Sequence, residues 1–148
     1  MINIDEYFMR EAIKQARYAL EEGEIPIGAV IVYNDKIIAR AYNQVEKLRD
    51  VTAHAEMLAI TSAADFVGGK YLQDCTLYVT LEPCIMCVGA IRLARFKKVV
   101  FGTADHRHIM PERWTTLLPK TEIYKDVLSA ECQALLDQFF YAKRTIHI

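Results

Sequence analysis

Apolar residues recur at steps of four and three through the start of the chain, where Ile4, Phe8, Ala12, Ala16 and Ala19 fall on one face of a helix. Asn3 stands at the N-cap position, Glu6 three residues on completes a capping box, and Gly23 marks the end. The period then changes. The run 27–33 is β-branched and apolar, Asn34-Asp35 offers a two-residue turn, and 36–42 continues in strand-like composition, which predicts a β-hairpin. A polar stretch over 44–50 separates it from a second helical pattern over about 53–66, stopped by Gly68-Gly69. A strand over 75–81 follows, with Leu77, Val79 and Leu81 on one face. Glu82-Pro83 then opens a helix to about residue 94, and a strand over 97–103 is closed by Gly102. Residues 104–120 are the least regular part, with a helical turn expected around 112–117. A short strand over 121–124 and a helix over 125–143 end the pattern, with Leu128, Leu135, Phe139 and Ala142 facing inward.

Hairpin, helix, strand, helix, strand, helix predicts an α/β protein: a three-layer α/β/α sandwich on a mixed sheet of about five strands. At 148 residues, 53% of them apolar, the chain is expected to form one domain over 1–148. A formal net charge of −1 excludes a globally polybasic nucleic-acid binder. The balance is uneven, however. Residues 1–91 carry 8 Lys+Arg against 13 Asp+Glu (net −5), and residues 92–148 carry 10 against 6 (net +4), so any nucleic-acid contact is expected to be local and C-terminal. The N-terminus lacks the basic start and apolar run of a signal peptide, and the longest apolar stretch, 25–33, is too short to span a bilayer. A cytoplasmic address without membrane association is therefore expected, and in that reducing compartment Cys75, Cys84, Cys87 and Cys132 are poor disulfide candidates.

The chemistry gathers at two expected helix openings, His54-Ala55-Glu56 and Pro83-Cys84-Ile85-Met86-Cys87. Residues three apart share a helix face, and a helix N-terminus favours thiolate over thiol, so Cys84 and Cys87 suit a zinc ion. Residues two apart diverge by about 200° in mid-helix, so His54 and Glu56 can converge on one site only in a first turn. One His nitrogen and two Cys sulfurs leave the fourth tetrahedral position for water, the mark of a catalytic site. Water so bound ionises near neutral pH, and Glu56, an uncoordinated carboxylate, fits as the general acid and base that moves its proton. Alternatively, Cys84-x-x-Cys87 is a packing or redox pair and His54 a helix-cap residue.

The H-x-E and P-C-x-x-C pairing is the signature of zinc-dependent nucleobase deaminases. Glu24-Ile-Pro-Ile-Gly-Ala-Val30, Ala41-Tyr-Asn43, Thr52-Ala-His-Ala-Glu56, Cys75-Thr-Leu-Tyr-Val-Thr-Leu-Glu-Pro-Cys84, Val99-Val-Phe-Gly102 and Glu131-Cys-Gln-Ala-Leu-Leu-Asp-Gln-Phe-Phe140 resemble the bacterial tRNA-specific adenosine deaminase family. That resemblance implies a cytidine deaminase-like fold, one Zn2+ per chain on His54, Cys84 and Cys87, and no organic cofactor. It implies hydrolytic attack by zinc-bound hydroxide on adenine C6 at the wobble position of tRNA, giving inosine and ammonia. Asn43, otherwise read as a turn residue ending a strand, would hydrogen-bond the purine, and the backbone N–H of Ala55 would help orient it. The implied partners are the tRNA anticodon arm and a second copy of the chain as a homodimer. The ending Phe139-Phe-Tyr-Ala-Lys-Arg144 would either stack a base and follow phosphates or serve as core and helix-end charge.

Two departures bear on substrate. Val51 stands where the family usually has Pro, and 104–120 replaces the family's small-residue segment and its Asn-His pair. His106 and His108 in that segment are either further metal donors or exposed or RNA-facing loop residues. Two rival functions follow: deamination of a free base or nucleoside (guanine, cytosine or cytidine) on the same scaffold, or a non-catalytic zinc-stabilised RNA-binding module. The second rival needs a fourth protein ligand from His106, His108, Cys75 or Cys132.

Overall fold

In the computed structural model, residues 3–107 and 114–146 are described. The elements run α1 (Ile4–Glu21), β1 (Gly28–Tyr33), β2 (Lys36–Tyr42), α2 (Val45–Leu48), α3 (Ala55–Val67), β3 (Thr76–Leu81), α4 (Ile85–Ala94), β4 (Lys98–Thr103), α5 (Trp114–Leu117), β5 (Glu122–Tyr124) and α6 (Ser129–Ile146). The strands form one five-stranded sheet in the order β2-β1-β3-β4-β5. β1 pairs antiparallel with β2 and β3, while β3–β4 and β4–β5 are parallel, which gives the expected mixed sheet. Asn34 and Asp35 take φ of 50° and 60°, the left-handed pair that a tight hairpin turn requires.

The central strands are buried on both faces, so they read as apolar runs rather than alternations. Ala29, Ile31, Leu77, Val79, Val99 and Phe101 join a core with Ala55, Ala59 and Ala63 of α3 and Val88 and Ile91 of α4. Val30, Val32, Tyr78 and Val100 point to the other face, against Phe8, Met9, Ala12, Ile13 and Ala16 of α1 and Cys132 and Leu135 of α6. Three layers result: α3 and α4, the sheet, α1 and α6. No helix among the described residues is long and apolar enough to cross a membrane.

Several local expectations are corrected. Asn3 Oδ1 does accept the Glu6 N–H (3.1 Å), but Ile4 is exposed, and the buried face of α1 runs through Phe8, Met9 and Ile13. Gly102 lies inside β4 rather than closing it. A Cβ there would come within 2.4 Å of Cys132 Sγ and 2.7 Å of the Thr80 carbonyl oxygen, so glycine lets α6 press against the sheet. Pro83 precedes the helix instead of starting it: Cys84 is the N-cap of α4, in extended conformation. α6 begins at Ser129, which turns Cys132, Leu135 and Leu136 inward; Phe139 is half-buried and Ala142 exposed, because the helix there has passed the core and borders a cavity.

Candidate active site

β3 ends in the middle of the sheet, and three residues later Cys84 caps α4. Across from it His54 caps α3 in the same extended conformation (φ −72°, ψ 153°, against −74° and 172° at Cys84). Neither side chain makes a capping hydrogen bond to its helix. The loop before His54 is fixed by Asp50 Oδ1, which accepts the Thr52 N–H (2.8 Å) and hydroxyl (2.7 Å), and the Gln44 N–H bonds the Ala53 carbonyl.

His54 Nδ1 lies 3.6 Å from Cys84 Sγ and 3.6 Å from Cys87 Sγ, and the three donor atoms are mutually within 4.8 Å. Zinc held tetrahedrally at about 2.3 Å from sulfur and 2.0–2.1 Å from nitrogen places those atoms about 3.6 Å apart, so the donor set fits the ion. His54, Cys84 and Cys87 are the one such donor group among the described residues. Cys75 and Cys132 are buried elsewhere and are not in it; His106 is exposed, and His108 lies outside the described residues. The fourth-ligand requirement of a purely structural zinc module is therefore not met among the described residues. The Cys84 thiol is held down to about 3 by the hydrogen bond from Cys87 and then by His54, while the same bond holds Cys87 up. Thiolate is the ligand form, and Cys84 is the cysteine that the site holds ready in it.

Glu56, in the first turn of α3, is 4% exposed. Burial pushes its carboxyl up to about 6, against the opposing pull of its own backbone N–H and of His54. Asn43 is also buried; its backbone N–H bonds the Ile27 carbonyl and its Nδ2 the Ile25 carbonyl (3.4 Å), while Oδ1 has no partner among the described residues. A buried amide oxygen left unpaired is expensive unless a ligand meets it. A cavity of about 700 Å3 supplies the room, with Asn43, His54, Val51, Arg107, Phe139 and Lys143 on its walls. Lys143 Nζ stands 5.4 Å from the Phe139 ring centre, and Phe140, 36% exposed, meets Phe139 edge to face. Both Phe residues thus border the cavity.

Sequence reasoning brought together His54, Glu56, Cys84 and Cys87, and Asn43 through resemblance. It missed two buried carboxylates. Glu24, 1% exposed, accepts the Glu46 and Lys47 N–H groups (3.0 and 2.8 Å), capping α2 where its own N-cap Gln44 does not. Glu82 accepts the Asp105 N–H (2.9 Å) with one oxygen and the Trp114 indole N–H (2.8 Å) with the other. It thereby ties the irregular segment to the residue just before Pro83-Cys84. Asp105 in turn accepts from the Arg107 backbone and guanidinium, setting Arg107 at the cavity wall. A carboxylate that caps groups more than twenty positions away leaves no local sequence signal.

One imidazole and two cysteine sulfurs gathered at two helix N-termini, beside a buried acid and with the imidazole on a cavity wall, define a zinc deaminase centre. The chain matches the family model described as the cytidine and deoxycytidylate deaminase zinc-binding region over residues 2–103, and it belongs to that family, within its tRNA-specific adenosine deaminase branch. A tRNA-specific adenosine deaminase of Aquifex aeolicus (strain VF5) is 46% identical over 143 residues, 91% of this chain and 93% of its own. A structure solved in a study of A-to-I editing by tRNA:A34 deaminases at the wobble position of transfer RNA superposes with a TM-score of 0.82 at 38% identity, over 88% of this chain and 99% of its own. A guanine deaminase structure from Bacillus subtilis is 44% identical but covers 67% of this chain and 64% of its own, with a TM-score of 0.64.

Proposed function

We propose that the protein, as a single domain over residues 1–148, hydrolyses adenosine to inosine at the wobble position of tRNA, with release of ammonia. The observation that carries this reading is a three-donor cluster whose His54 lines a cavity that also holds an unsatisfied amide, two aromatic rings and two cations. His54, Cys84 and Cys87 hold one zinc ion per chain. Bound zinc supplies Lewis acidity that makes a water nucleophilic near pH 7, at about 7 rather than 15.7. Glu56 takes a proton from the attacking water and delivers it to the departing amino group, a task suited to a carboxyl raised towards neutrality by burial. Asn43 hydrogen-bonds the flipped purine through the amide end that the fold leaves unpaired. Phe139 and Phe140 offer faces on which a neighbouring base stacks, and Lys143 and Arg107 stand ready for phosphate.

Guanine as substrate has less support: the guanine deaminase structure that is 44% identical covers 67% of this chain, and one from Nitrosomonas europaea that covers 90% is 23% identical, against 46% identity over 91% of the chain for a tRNA-specific adenosine deaminase. Incubation of total tRNA with the protein and with Glu56→Ala, followed by sequencing for inosine, tests the reading. Inosine formed by the wild type and not by the variant is expected; ammonia released from guanine or cytidine, with tRNA unchanged, overturns it.

The assembly is read as a homodimer in the cytoplasm. Ile85 (64% exposed), Gly89 and Leu93 (77% exposed) form a stripe along α4 that a second copy of the chain would cover. Sedimentation should give twice the 17.0 kDa chain mass, and Leu93→Glu should shift it towards the monomer.

A further inference from the structure

A second cavity, of about 610 Å3, lies at the end of the sheet opposite the donor triad, and its size suits a nucleotide-sized group. β3 and β4 run parallel, with Thr76 beside Lys98 at their starts and Leu81 beside Thr103 at their ends. The triad lies beyond the ends; the cavity lies before the starts, where the last turn of α4 meets residue 97 and the connection from α5 to β5. Its wall carries four cations, Arg92, Arg95, Lys97 and Lys120, beside the buried side chains of Phe96 and Leu118. No carboxylate is among its described lining residues, and Arg92, Arg95, Lys97 and Lys120 form no ion pair with another described residue. Arg95 is turned over the Tyr71 ring, 4.1 Å from its centre.

Favourable placement at a helix C-terminus accounts for Arg92 but not for Lys97 or Lys120, which stand on other segments. All four cations come from the half of the chain that carries net charge +4. Like charges gathered around one concavity, with no carboxylate among its described lining residues, repel one another and raise the local concentration of anions.

We propose that this cavity is a second RNA contact, which binds phosphate groups of the polynucleotide backbone at a distance from the reacting base. The inference rests on the tRNA reading above. Six-residue strands separate the two cavities by about 20 Å, so one flipped nucleotide cannot reach both, whereas a folded RNA can. Its stems present closely spaced phosphate charges along both strands.

The test compares the wild type with the double variant Arg92→Gln/Lys120→Gln and with the control Arg17→Gln/Lys36→Gln, which removes the same charge from exposed positions outside this cavity. The probe is an in vitro tRNA transcript with adenosine at the first anticodon position, bound at several salt concentrations. Loss of two phosphate contacts should weaken binding about tenfold near 0.1 M salt and lower the slope of log affinity against log salt by about 1.5, with the control unchanged. Equal slopes for all three proteins overturn the inference, as does an equal fall in the control. Calorimetric binding of AMP or inorganic phosphate that needs Arg92 and Lys120, with no change in the tRNA slope, also overturns it, since the cavity would then serve a small phosphate ester. Inosine formation by the wild type is scored separately: its presence with unchanged slopes defeats this inference alone, and its absence defeats the functional reading.

Discussion

The two sides of the reaction cavity are built in contrasting ways. The metal side rests on helix caps placed directly after the loops and strands of the sheet centre, and its donors are held by backbone geometry at two helix N-termini. The facing side is strung from the end of β4 and gains its position through one buried carboxylate, Glu82, which holds Asp105 and Trp114, with the Trp114 ring stacked on Phe101 at 5.8 Å. The difference teaches that the reacting atoms are fixed by the sheet, while Arg107 at the cavity wall hangs on a few side-chain bonds. Chemistry and specificity can therefore change separately, except at Glu82, which adjoins both.

The contrast makes ordered expectations. Cys87→Ala, or stripping the metal with a chelator, should abolish activity and lower the melting temperature, because the ion links α3 to α4; elemental analysis follows its loss, and added zinc should restore the stripped wild type. Glu56→Gln should lower turnover by about 10²–10⁴-fold while one zinc per chain remains, measured by ammonia release alongside elemental analysis. Retained turnover would end the proton-transfer role. Asn43→Ala should reduce kcat/KM about ten- to a hundredfold with metal content unchanged, the effect of one hydrogen bond to the purine. On the facing side, Trp114→Phe leaves one Glu82 oxygen without its donor and should lower unfolding free energy by about 1–3 kcal/mol in urea titration, with zinc retained. Smallest, Arg107→Gln should raise KM for tRNA about threefold and leave kcat unchanged; a larger fall in kcat than in affinity would show that the two sides are not independent.

What could be read from the residues divides along the same line. The paired sulfur ligands were legible because coordination imposes spacing, which survives in sequence as Cys84-x-x-Cys87, and His54-x-Glu56 was legible because a ligand and an acid two residues apart converge only in a helix's first turn. The strands were legible as apolar runs, since both faces of β1, β3 and β4 are covered. Gly102 was misread as a stop, because its reason is the nearness of Cys132, thirty residues away, and not its own backbone. Glu24 and Glu82 looked like ordinary acids; only the folded chain brings distant N–H groups to them. Asn43 gave no signal of its own, and its unpaired oxygen is visible only once the walls around it are known. The segment 104–120 has no period to read, and residues 108–113 lie outside the described residues.

The donor atoms of the metal centre come from positions 54, 84 and 87, brought together by the pairing of β1 with β3 and by the two helices that cap against them. Until that pairing exists, a growing chain has only an isolated thiol pair to offer, a weak trap open to any soft metal. Selective loading by all three donors is thus a late event in the life of the polypeptide, one that waits on the tertiary fold.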